Sequence, residues 1–213
     1  MSGRRLLWVL LRAFARMLFL LCFRVRVYRQ NRVPPKGGAL IASNHQSYLD
    51  PVLLGLGLDR SICYMARSSL FRNPLFRLLI ASLNAFPVKR GGRDTTAVRE
   101  AVRRLRGGWC LTVFPEGTRT PDGSVGRIHA GALLIAERTG VPVVPAAIEG
   151  AFEAWPRNGW PRPGRISVAY GRPIPPQEYE RLSREELAER LHREIVTLQT
   201  DLKMRIGREV RQG

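Results

Sequence analysis

The sequence predicts an α/β fold: a single-domain sandwich with a largely parallel central sheet flanked by helices, plus an N-terminal membrane-associated helix. Three observations carry that expectation. Short β-rich runs alternate with helical patterns, as expected of strands joined by helical crossovers. The chain has 213 residues, enough for one well-filled core and too few for two comfortable domains. Its 45% apolar content is globular rather than disordered.

The first element is LLWVLLRAFARMLFLLCF (6–23), apolar except for Arg12 and Arg16. A secretory signal needs small residues after its apolar core, but RVRVYRQ follows here. Within a spanning helix, each of these arginines would cost roughly 2.5–3.5 kcal/mol. Arg5, Arg12 and Arg16 share one helical face while Trp8, Phe14, Phe19 and the leucines cover the rest, so the reading favoured is a helix in the membrane interface. A core helix whose arginines snorkel is the competing one. Residues 1–36 are thus expected to form a basic apolar membrane-associating helical segment, and residues 37–213 the catalytic domain.

Strands are expected at VRVY (25–28), GALIAS (38–43), ICYMA (62–66), NAFPV (84–88), WCLTVF (109–114), VVPAAI (143–148) and RISVAY (165–170). Helical patterns fall at about 51–58, 74–82, 93–106, 128–139 and 184–206. The last is well marked. Ser183 and Glu186 form a capping box, Leu182 and Leu187 can staple it, and Leu187, Leu191, Ile195, Leu198 and Leu202 make a buried stripe. His192 lies beside that stripe and reads as structural. Proline and glycine gather at 156–164 and 171–176, which read as loops.

Charge narrows the partners. A net charge of +18 calls for something anionic: nucleic acid, an acidic membrane surface or a phosphorylated substrate. Residues 1–49 hold nine Arg or Lys and no acidic residue, interleaved with the most apolar stretch of the chain. That placement favours an anionic membrane surface over nucleic acid, for which no RRM, KH or zinc pattern appears. Cys22, Cys63 and Cys110 lack metal-ligand spacing and read as the reduced thiols of a cytosolic compartment.

The chemistry concentrates in three places, each at the end of a β-run. The first is ASNHQSYLDP (42–51). Residues five apart on a helix diverge by about 140°, so His45 and Asp50 meet only if the backbone changes state between them. A loop carrying His45 and a helix opening between Ser47 and Pro51 would allow it. Asp50 would then be the N-cap with Pro51 at N1, or Ser47 the N-cap with Asp50 at N3. Two readings stand at this point: a loop histidine beside a capping carboxylate, or a dyad in which the carboxylate holds one ring nitrogen and leaves the other as a general base.

The second place is LTVFPEGTRTPDG (111–123), where Gly117 permits close backbone approach and Arg119 offers a planar fork suited to phosphate. The third is FPVKRGGR (86–93), a basic turn with a glycine pair. Ligands of such sheets gather beyond the carboxyl ends of the strands. A base beside a phosphate clamp fits transfer of a group onto a hydroxyl of a phosphorylated molecule.

These residues also carry a resemblance. NHQSYLD (44–50) is similar to the HX4D motif of the glycerolipid acyltransferases, and FPEGTRT (114–120) resembles that family's FPEGTRS block. AFPVKR (85–90) and VPVVPAAI (141–148) are similar to two further blocks, and all four occur in the family's order. The resemblance is strongest to the members that acylate 1-acylglycerol 3-phosphate. It implies that His45 deprotonates a free glycerol hydroxyl, which attacks the thioester of an acyl-CoA or acyl-carrier protein, while Asp50 orients His45. It further implies that Glu116, Gly117, Thr118 and Arg119 shape the acceptor site, with Arg90 and Arg119 holding the phosphate.

No cofactor beyond the donor co-substrate, no metal and no covalent acyl-enzyme is implied. The expected partners are a lysophospholipid acceptor, the acyl donor and an anionic membrane, at the cytoplasmic face of the cell membrane. Departures from the pattern are Lys89 in place of a common acidic residue and Thr120 in place of serine. His129 stands where a lysine is frequent, and would supply positive charge only when protonated. Water as acceptor, giving a thioesterase, and acceptors such as glycerol 3-phosphate or another lysophospholipid are the alternatives.

Overall fold

The computed structural model describes residues 22–88 and 94–212. Of the membrane-associated helix expected over 6–23, residues 6–21 lie outside the described residues, as does Arg90 with the rest of 89–93, while Phe23 already belongs to a strand. Seven strands form one sheet: β1 (Phe23–Tyr28), β2 (Ala39–Ser43), β3 (Ile62–Arg67), β4 (Ala85–Val88), β5 (Cys110–Val113), β6 (Val143–Glu149) and β7 (Gly164–Tyr170). Their order across the sheet is β1-β7-β6-β2-β5-β3-β4. The five strands β2 to β6 are mutually parallel, while β1 and β7 pair parallel to each other and β7 antiparallel to β6. The sheet is therefore largely parallel, as expected. It also recruits β1 from within residues 1–36, so that segment contributes an edge strand.

The helices are α1 (Asp50–Leu56), α2 (Pro74–Ser82), α3 (Thr95–Arg106), α4 (Leu134–Thr139), α5 (Ala151–Ala154), α6 (Pro176–Tyr179) and α7 (Arg184–Gln212). Both faces of the sheet are covered, and the period-2 alternation along β2 shows how. Leu40 and Ala42 point into the cluster built with Leu105 of α3, Ile135 of α4 and the Leu187–Leu191–Ile195–Leu198–Leu202 stripe of α7. Ala39 and Ile41 point the other way, toward Leu53 and Leu54 of α1 and Ala151 of α5. A strand buried on both faces reads as a continuous apolar run, as ALIAS does.

The start of α7 matches its sequence signature in detail. The Ser183 N–H donates to Glu186 Oε2 at 2.7 Å and the Glu186 N–H to Ser183 Oγ at 3.2 Å, the reciprocal capping box. Stripe residues Leu191 and Ile195 are fully buried, so truncating either to alanine would cost about 2–5 kcal/mol.

Three elements depart from the sequence reading. The pattern at 128–139 starts later, as a 3-10 turn over Ala130–Leu133 followed by α4. The reason is that His129 is extended and its N–H is spent on the Pro115 carbonyl at 2.9 Å, which holds it to the turn after β5. Short α5 and α6 were not expected. Gly150 opens α5 with φ 87°, where a side chain would collide with the carbonyl oxygen of Arg165.

Candidate active site

β2 is the central strand, with β5 on one side and β6 on the other. His45 leaves its carboxyl end by way of Asn44, and both neighbours hold the loop in place. On the β6 side the Asn44 amide pairs with the Ile148 backbone in both directions, accepting from its N–H at 2.8 Å and donating to its carbonyl at 2.9 Å. A side chain thereby extends the ladder one residue past the strand. On the β5 side the His45 N–H donates to Glu116 Oε1 at 3.0 Å, and the Thr120 N–H donates to the His45 carbonyl at 2.8 Å. Both backbone groups of His45 are thus bound by the FPEGTRT turn, so the two motifs form one unit.

The His45 ring is fixed as well. Its Nδ1 lies 2.7 Å from Asp50 Oδ2, and the ring stacks on Phe114 with centroids 4.1 Å apart and planes 16° apart. Because a carboxylate only accepts, this contact makes Nδ1 the donor, and in the neutral ring the lone pair then falls on Nε2. The side chain retains 20% of its exposure, whereas Asp50 retains none. Oδ2 of Asp50 also accepts the N–H groups of Gln46 at 2.6 Å and Ser47 at 2.8 Å. Three donors converge on one oxygen, while Oδ1 is bonded to nothing among the described residues.

α1 begins at Asp50 with Leu49 as its cap and Pro51 in its first turn. Neither register foreseen for the helix start is matched in full. The carboxylate reaching back to the Ser47 N–H is nonetheless the half of a capping box that an N3 acid supplies. Capping and aiming are the same act here, because the oxygen that holds the backbone turn also holds the ring.

The expected acceptor-site residues divide into two groups. Glu116 is 6% exposed, with its carboxylate turned inward to the His45 and Gly126 backbones. Burial pushes its pKa up, opposed by those two N–H donors. Gly117 takes φ 69° to turn the chain, and with Thr118 it is exposed. Arg119 lays its guanidinium over the Tyr48 ring, Cζ 3.6 Å from the centroid, and its Nη1 is buried with no partner among the described residues. His129 lies exposed beside Gly117. Among the described residues, no three His, Cys, Asp or Glu side chains gather in a way that could hold a metal ion.

Sequence reasoning missed the network beneath this loop. Gln46 is 1% exposed and donates to the Gly123 carbonyl at 2.9 Å and Glu149 Oε2 at 3.3 Å, while its own Oε1 accepts the first N–H groups of α5, Ala151 and Phe152. Gln199 of α7 donates to the same two acceptors at 2.7 Å each. Burial raises the Glu149 pKa, with Lys203 and the two glutamines opposing the shift. A signal existed for Gln199: it stands four residues after Ile195, a polar residue on the buried face of α7.

Comparison with known proteins identifies the family. The sequence model of the Acyltransferase family matches residues 24–149. The chain is 31% identical over 185 residues to the 1-acyl-sn-glycerol-3-phosphate acyltransferase of Bacillus subtilis, covering 84% of this chain and 89% of that protein. It is also 31% identical over 140 residues to the chloroplastic LPAT1 of Arabidopsis thaliana, covering 64% of this chain and 39% of the longer plant protein. Its fold matches the crystal structure of PlsC, the 1-acyl-sn-glycerophosphate acyltransferase of Thermotoga maritima, with a TM-score of 0.72 and 33% identity over 84% of this chain and 72% of that one. With its motifs joined in one site at the carboxyl edge of such a sheet, the chain belongs to the acyltransferase family.

Proposed function

We propose that the chain moves a fatty acyl group from acyl-CoA or acyl-carrier protein to the free hydroxyl of 1-acylglycerol 3-phosphate, giving phosphatidic acid, with His45 as general base. The observation that carries this reading is the 2.7 Å contact of His45 Nδ1 with Asp50, which leaves Nε2 to take a proton. As the hydroxyl oxygen attacks the thioester carbonyl, its proton passes to Nε2. The resulting imidazolium is stabilised by the Asp50 carboxylate. Collapse of the tetrahedral intermediate breaks the C–S bond, and the leaving thiolate recovers the proton.

Acceptor choice falls to Arg119. A guanidinium held flat by Tyr48, with one unpartnered nitrogen, is suited to a phosphate oxygen. Thr118 and Gly117 supply the exposed remainder of the turn, and the family resemblance assigns Arg90 to the same phosphate. The similarity to proteins named for 1-acyl-sn-glycerol 3-phosphate supports that acceptor. The basic apolar residues 1–36 serve to keep the enzyme on the cytoplasmic face of an anionic membrane, where the acceptor resides. Among the described residues no helix is long and apolar enough to cross a membrane.

The test is an acyl-transfer assay with a panel of lysolipids and both donor types. Transfer to lysophosphatidate at least tenfold above transfer to lysolipids lacking a phosphomonoester is expected. Equal use of all acceptors, or acyl release to water at the same rate without any acceptor, contradicts the reading.

A further inference from the structure

The loop between α5 and β7, WPRNGWPRP (155–163), has no part in the chemistry above, yet it is tied to the site. α5 follows the carboxyl end of β6, and β7 returns antiparallel to β6. The connection must therefore lie beyond the sheet edge that carries His45. Its root is bonded to the catalytic loop, because the Ser47 hydroxyl donates to the Trp155 carbonyl at 3.1 Å. The Trp155 ring lies 5.6 Å from that of Tyr48, which also carries Arg119.

The loop is also braced internally. Trp155 Nε1–H donates to the Gly159 carbonyl at 3.1 Å, and the Arg162 N–H donates to the Ala154 carbonyl at 2.7 Å. At the tip of this braced loop stands Trp160, 86% exposed and the most exposed large apolar side chain among the described residues. Arg157 and Arg162 flank it, both exposed, and the segment contains no acidic residue.

A largely exposed indole held on a braced loop and set between two exposed arginines has the composition of a lipid headgroup contact. Tryptophan concentrates at the membrane–water interface, where its ring is apolar and its N–H is wet. Each nearby arginine adds attraction to anionic lipid, roughly fivefold in partitioning.

We propose that residues 155–163 form a membrane contact separate from residues 1–36, seating Trp160 in the headgroup layer of an anionic bilayer so that the rim of the site meets the lipid. The proposal rests on the reading of the acceptor as a membrane lipid. In it, Tyr48 and Arg119 face the layer in which the acceptor phosphate lies, and the loop sets the height of the site above that layer.

The experiment compares the full chain with Trp160→Phe on anionic vesicles containing bromine-labelled lipid. The difference in tryptophan quenching between the two reports Trp160 alone. Strong quenching of that component is expected. A second arm uses Trp160→Ala, which should lower kcat/KM for vesicle-borne lysophosphatidate about tenfold while leaving a monomeric short-chain acceptor unaffected.

If the chain cosediments with the vesicles while its Trp160 component is unquenched, the proposal is overturned and the acyl transfer stands. Equal losses on vesicle-borne and monomeric acceptors overturn it too. Quenching that appears only after a membrane-protein fraction is added assigns the loop to a protein partner and overturns it as well. The quenching needs no turnover, so a failure of the acyl-transfer reading is seen separately, in the acceptor panel.

Discussion

The loop 44–50 and the turn 114–120 meet at one histidine but spend their side chains differently. In the loop, Asn44, Gln46, Ser47 and Asp50 are all buried and turned inward to hold the turn that aims one ring, and Tyr48 alone is exposed, under Arg119. The turn is split. The Glu116 carboxylate and the Thr120 N–H hold the His45 backbone, while Thr118 is exposed and Arg119 lies partly exposed over Tyr48. A short motif can therefore hold two jobs, and its most reactive-looking carboxylate, Glu116, belongs to the supporting half. The difference predicts that changes in the loop act on kcat, and that changes in the turn act on kcat or KM according to which way the side chain points.

Asp50→Asn is the most severe test of the inward loop. The amide nitrogen of Asn can no longer match the three donors on Oδ2, and the imidazolium loses its counter-charge. We expect kcat to fall about 10⁴-fold with KM little changed, as when the acid supporting a catalytic histidine is neutralised. A change confined to KM would break the comparison.

Arg119→Ala tests the outward half of the turn. Loss of a charge-assisted phosphate contact should raise the acceptor KM about 10- to 100-fold, with donor KM unchanged. Arg119→Lys should recover only part of it, because an ammonium lacks the planar fork that Tyr48 holds.

Glu116 separates the halves most finely. Glu116→Gln keeps an oxygen to accept the His45 N–H and should cost less than about tenfold in kcat. Glu116→Ala leaves that N–H unsatisfied and should lower stability by about 1–3 kcal/mol as well, read by denaturant unfolding. A rise in acceptor KM in either variant would place Glu116 on the substrate instead.

The smallest effect concerns pH. Glu149 is held above its ordinary value of 4.5 by burial, so the folded state binds the proton more tightly than the unfolded chain. Stability should then fall as pH rises from 4.5 through the folded pKa, and stay lower above it. Glu149→Gln should flatten that fall in denaturant midpoints measured from pH 4 to 8. A steeper fall would contradict it.

Much of this was legible in the residues, and the remainder fails for identifiable reasons. All seven strand cores were readable, because β-branched and aromatic runs bounded by Gly, Pro and polar turns have few other uses in a chain of alternating patterns. The capping box at Ser183 and the stripe below it were readable because helical spacing is local. Asp50 could be matched to His45 only as a possibility, since five residues is the wrong spacing on a helix and the contact depends on a turn at Ser47. Glu116 was assigned to the acceptor because an acid in a glycine turn looks ligand-facing. Its inward orientation depends on β2 and β5 lying side by side, which no short window of sequence reveals. The same holds for Gln46 and Gln199, distant in sequence and joined on the Gly123 carbonyl.

The central claim is that His45 Nε2 takes the acceptor hydroxyl proton. Its most direct test is the rate of acyl transfer to lysophosphatidate by His45→Ala, with circular dichroism and vesicle cosedimentation showing that the variant is folded and membrane-bound. General-base catalysis typically contributes about 10²–10⁴-fold, so transfer should drop by at least two orders of magnitude while fold and membrane binding are retained. Turnover within a few-fold of the unaltered enzyme would contradict the account.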